Sequence, residues 1–106
     1  IVNYSALEMR RVDMAFGVGY DSDIKQTKDI LMNQLNNHPL VLKEPAPVVR
    51  LTELADSSIN FVVRPWVKTP DYWSVYFDVM ENTKEALDAA GIEIPYPHTV
   101  EIQKQG

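Results

Sequence analysis

Apolar residues at every second position mark the first clear element of the chain. Val12, Met14, Phe16, Val18 and Tyr20 alternate with Arg11, Asp13, Ala15, Gly17 and Gly19, a period that separates the two sets onto opposite faces of a strand. The spacing predicts a half-buried strand with the larger set toward a core. Gly17 and Gly19 leave the other face small, and glycine inside a strand often marks a close approach by another backbone or helix. Both are expected to pack against a neighbour.

The period then lengthens. Ile24, Thr27, Leu31 and Leu35 recur at spacings of three and four, which predicts an amphipathic helix capped by Asp21 or Ser22 and stopped at Asn36, Asn37 and the His38–Pro39 pair. The following "PLVLKEPAP" carries three prolines, which lack a backbone donor and restrict the residue before them, so residues 39–47 are expected to be an extended connection. Apolar and β-branched runs near residues 48–54 and 58–64, separated by "ADSS", predict a hairpin in which Ile59, Phe61 and Val63 share a face. Pro65 should end its strand or lie on an edge, which leaves pairing beyond Arg64 open.

Thr69 as a cap, Pro70 at the first helical position and Asp71 in the first turn open a second helix. Its expected inner stripe is Tyr72, Tyr76, Val79, Thr83, Leu87 and Ala90, and Gly91 closes it. After "IPYP", Val100 and Ile102 alternate with Thr99, Glu101 and Gln103 in a last short strand. The order strand, helix, strand, strand, helix, strand is that of an α+β, ferredoxin-like βαββαβ sandwich.

Composition narrows the function classes. A chain of 106 residues, 45% hydrophobic, supports one core. The formal net charge of −5, with basic residues spread along the chain, argues against a nucleic-acid partner. No cysteine is present, which removes disulfides, thiolate metal sites and thiol nucleophiles. No apolar run reaches the roughly 18 residues that a membrane helix needs, so the chain as given is expected to be soluble. It opens on a strand-like "IVNYS" without an initiator Met, as a piece of a longer protein would.

Candidate chemistry is sparse. "GVGYDSD", residues 17–23, stands where a phosphate loop could, but it lacks the third glycine of a dinucleotide fingerprint and the Lys of a P-loop. Asp21 and Asp23 would also oppose an anion at the helix N-terminus. A structural turn and cap is the better reading, and the two aspartates lack the spacing of a calcium loop. His38 and His98, each beside a proline, read as solvated loop residues without companion ligands. Ser22, Ser57, Ser58 and Ser74 have no histidine at a suggestive position. Asp71, Asp78, Glu81, Glu85 and Asp88 read as the solvated face of the second helix. We therefore assign no catalytic residue, no cofactor and no metal, and expect no enzyme. Trp66, Tyr72, Trp73, Tyr76 and Phe77 crowd the hairpin exit and the helix start. Base stacking is one use of such a cluster, but the acidic charge makes core or subunit packing the stronger account.

Several segments, in order along the chain, resemble the C-terminal region of the small-conductance mechanosensitive ion channel (MscS) family: "IVNYS", "RRVDMAFGVGYDSD", "EPAPVVRL", "SSINFVVRPWV" and "LDAAGIEIPYP". The resemblance implies a tension-gated channel whose membrane helices lie upstream and whose cytoplasmic regions form a homoheptameric cage with lateral portals for ions and small osmolytes. It implies that residues 1–8 end a preceding β domain and that residues 9–95 are the α/β domain. Residues 96–106 would be tail, with 98–104 a strand of an intersubunit barrel held through Val100 and Ile102. Arg10, Arg11 and Asp13 would fall near the portals. The competing reading is a free ferredoxin-like regulatory module that binds a small ligand at a dimer interface.

Overall fold

The computed structural model describes residues 8–95. The expected barrel strand, with Val100 and Ile102, lies outside the described residues, as does His98. The elements in chain order are β1 (Met9–Arg11), β2 (Met14–Val18), α1 (Ile24–Asn36), β3 (Val48–Leu54), β4 (Ile59–Arg64), β5 (Trp66–Lys68), a 3-10 turn (Thr69–Asp71) and α2 (Tyr72–Ala89).

β4 lies between β2 and β3 and is antiparallel to both, so β2 and β3 run parallel with α1 as their crossover. This is the split βαβ arrangement of a ferredoxin-like sandwich. Past α2 the chain returns to the free side of β2, where Gly19 N–H donates to Glu93 C=O at 2.9 Å. The hairpin turn falls where "ADSS" predicts it, closed by Ala55 N–H to Ser58 C=O at 2.9 Å. A register shift between Leu51 and Glu53 puts a bulge in β3.

Pairing does not stop at Arg64. Arg11 pairs with Trp66 and Met14 with Val63, so the β1–β5 and β2–β4 ladders keep one register across the break. Pro65 lacks a donor, which interrupts the ladder, yet its carbonyl accepts from Val12 N–H at 2.9 Å and the ribbon resumes beyond it. The proline divides one long ribbon in two.

One face of the sheet is covered by both helices. Val12 between β1 and β2, Met14, Phe16 and Val18 from β2, Ile59, Phe61 and Val63 from β4, and Leu31, Leu35, Val75, Val79 and Leu87 from the helices form one buried cluster. The alternation thus identifies the core face of β2, but Tyr20 leaves it: its ring is exposed and its hydroxyl donates to Ala55 C=O. Ile24 is likewise exposed, leaving Thr27, Leu31 and Leu35 as the buried stripe of α1. The buried stripe of α2 is Val75, Val79, Thr83 and Leu87; Tyr72 and Tyr76 are half-buried at its margin and Ala90 is exposed.

The helix ends follow local chemistry. Asp23, one residue beyond the expected caps, accepts from Gln26 N–H at 3.0 Å, an interaction worth about 1 kcal/mol at an N-cap. At the C-terminus of α2, bordering the same open cleft as Asp23, Gly91 takes φ +75°. Ile92 N–H bonds to Leu87 C=O and Gly91 N–H to Asp88 C=O, a Schellman closure that turns Ile92 into the core.

Candidate functional site

Gly17 sits opposite Asn60 on the face of the sheet away from the helices. A Cβ added to it would lie 2.7 Å from Asn60 Oδ1, closer than real contacts allow. That oxygen is fixed, because it accepts from Ser58 Oγ at 2.9 Å while Asn60 Nδ2 donates to Glu53 Oε1 at 3.0 Å. The small residue therefore makes room for a polar network across β2, β4 and β3. Gly19 differs: its added Cβ would meet nothing nearer than Glu93 C=O at 3.8 Å, an ordinary contact.

Within "GVGYDSD", Gly19 to Asp23 line an open cleft of about 600 Å³ together with Gln26, Glu93 and Pro95. Asp21, Asp23 and Glu93 all border it, so three carboxylates oppose an anion there, and Asp23 is already engaged as the helix cap. The stretch acts as strand end, turn and cap.

At the β1–β2 junction Arg11 Nε donates to Asp13 Oδ1 at 2.7 Å, and Arg64 Nε lies 3.8 Å from the same oxygen. Arg10, on the other face of β1, lies with its guanidinium carbon 4.7 Å from the ring centroid of Tyr72, a cation–π contact. The structure thus brings Arg11, Asp13 and Arg64 together and sets Arg10 apart against α2. The exposed ion pairs stabilise little; their effect is to hold a mixed-charge surface where the two ladders meet.

The aromatic cluster divides. Trp66, Tyr72 and Tyr76 are half-buried, whereas Trp73 and Phe77 are 60% and 61% exposed. Their rings stack at 5.7 Å between centroids, and Met80 extends the stripe by one further turn at 37% exposure. Asp78 reaches His38 just past α1, so that flank of α2 faces α1. Trp73, Phe77 and Met80 lie on the opposite flank. Among the described residues no element covers this strip. The spacing of four and then three was legible in sequence, but it was masked by the neighbouring core stripe.

His38 corrects the expectation of a solvated residue. Its side chain is 8% exposed, and Nε2 lies 2.8 Å from Asp78 Oδ2. Among the described residues no group of His, Asp and Glu could hold a metal, and no helix is long and apolar enough to cross a membrane.

Residues 12–94 match the family described as mechanosensitive ion channel MscS, C-terminal. Over 97 residues the chain is 46% identical to a small-conductance mechanosensitive channel of Edwardsiella ictaluri, covering 92% of this chain and 34% of that protein. Over another 97 it is 48% identical to an uncharacterized MscS family protein of Buchnera aphidicola, again 92% of this chain and 34% of the relative. The structure is similar to Helicobacter pylori MscS in its closed state, with a TM-score of 0.78 at 34% identity over 83% of this chain and 35% of that one. Arabidopsis thaliana MSL1 shares the fold at a TM-score of 0.73 and 14% identity. The chain spans about a third of the length of these relatives. Sequence and fold together make this chain a member of the MscS mechanosensitive ion channel family, corresponding to its C-terminal domain.

Proposed function

We propose that this domain forms the lower wall of a cytoplasmic cage in a homoheptameric, tension-gated channel, through whose portals ions and small osmolytes leave during osmotic downshock. The pore belongs to a membrane part upstream, and residues 1–8 end an intervening β domain. The observation that carries this reading is the exposed, stacked Trp73–Phe77–Met80 strip, on a domain whose relatives are mechanosensitive channels about three times its length. A strip of that kind favours contact between copies, and contact between unlike faces of identical chains closes into rings.

Arg11, Asp13 and Arg64 present a mixed-charge edge beside the portals, with Arg10 holding the start of α2. Residues 98–104 add a strand to an axial barrel, with Val100 and Ile102 as its inward contacts, because a lone strand edge is sticky and symmetric closure removes it. The domain has no catalytic role and needs no cofactor. Its assembly is with copies of itself, on the cytoplasmic side of the cell membrane.

Survival tests the function. The full-length protein carrying this domain, expressed in cells without tension-gated channels of their own, is expected to restore survival of sudden dilution and to give stretch-activated currents in excised patches. Membrane-inserted protein that gives neither would overturn the reading.

A further inference from the structure

His38 is held by two bonds of opposite sense. Leu40 N–H donates to Nδ1 at 3.1 Å. A backbone amide can only donate, so Nδ1 carries no proton and the neutral ring holds its hydrogen on Nε2, where it faces Asp78 Oδ2 at 2.8 Å. One imidazole therefore ties the α1–β3 connection to α2.

The geometry points to a proton-operated latch at His38. When a proton adds to Nδ1, that nitrogen becomes a donor and can no longer accept from Leu40, whose N–H then faces another N–H. At the same time the Nε2–H to Asp78 bond gains a charged donor, becomes a full ion pair and tightens. Protonation exchanges the tie to the connection for a stronger tie to α2. Asp78 is the charged group bonded to the ring; the two hollows that His38 lines carry Gln34 and Asn37 from the α1 end, Leu40 and the charged Lys43 from the connection, and Asp78 and Asn82 from α2.

The released segment has a defined route onward. Two residues past Leu40, Leu42 N–H donates to Trp66 C=O at 2.8 Å, and Trp66 pairs with Arg11 in the junction ladder. The connection thus joins the helix layer to the β1–β5 ribbon. The latch acts on the Leu40 end of this connection, while the Leu42 bond keeps its other end on the ribbon.

The test follows the isotopically labelled 106-residue chain from neutral to mildly acidic solution, with the ring 15N shifts reporting when the imidazole gains its proton. The 15N shifts of the ring should show the neutral form protonated at Nε2. Leu40 amide exchange, corrected for its intrinsic pH dependence, should speed about tenfold as the ring gains its proton, while Leu42 stays protected. In His38→Gln, which offers an acceptor that does not titrate, Leu40 exchange should be flat with pH. A neutral ring protonated at Nδ1, or Leu40 protection that ignores the imidazole titration, would overturn the latch.

Discussion

At the scale of single residues, the chain shows how one missing side chain can organise several others. Gly17 is needed because Asn60 leans over it, and Asn60 is held there by Ser58 and Glu53. Gly17→Val should destabilise the domain by about 1–3 kcal/mol through overpacking. The same change in an Asn60→Ala background should cost clearly less, since the clash is removed; the two effects are coupled through one contact. Thermal melts of the four proteins read this directly, and additive losses would show that the contact is not the cause. The alternation along β2 made Gly17 visible in sequence, but not its partner, because the register that opposes residue 17 to residue 60 is a property of the assembled sheet. For the same reason Gly19, with the same sequence signature, is loosely surrounded. His38 was misread because a proline neighbour suggests a loop, and only the packing of α2 against α1 brings Asp78 within reach.

Elements were legible where period and punctuation agreed. The split βαβ order, the hairpin at "ADSS" and the stop at Gly91 followed from spacing, turn residues and the glycine that permits positive φ. What the pattern hid was β5, because Pro65 reads as an end, whereas the proline removes one donor and leaves the register intact on both sides. The inner stripe of α2 was shifted for a related reason. Tyr72 and Tyr76 have large apolar rings that fit any hydrophobic template, but their position on the helix margin leaves Val75 to face the core. Thr83 is fully buried in that stripe, and its Oγ1 finds no hydrogen-bond partner among the described residues. A buried hydroxyl without a partner costs free energy that a methyl of similar shape does not. Thr83→Val should therefore raise stability, by about 1 kcal/mol in denaturant unfolding; a clear loss would mean that the hydroxyl is bonded in solution.

At the scale of the molecule, the Trp73–Phe77–Met80 flank of α2 and the mixed-charge edge at Arg11, Asp13 and Arg64 stand open to contact among the described residues. The acidic border of the cleft at residues 19–23 disfavours a phosphate ligand. Membership in the channel family was legible from short segments spread along the chain, because those segments hold the turns, caps and close contacts that the fold needs. Assembly was less legible, since a surface stripe and a core stripe have the same spacing in sequence. Burial by a second copy would relieve the exposure of the two rings without altering the monomer core, so Trp73→Ser/Phe77→Ser should leave folding intact and weaken association. Closure of copies of this domain into the proposed seven-membered cage is tested most directly by the mass, by light scattering across a range of concentration, of the protein comprising this chain and the β domain proposed to precede it. We expect an assembly of about seven copies, which the double variant shifts toward monomer. A discrete dimer that the double variant leaves unchanged would contradict the account and favour a ligand-binding regulatory module.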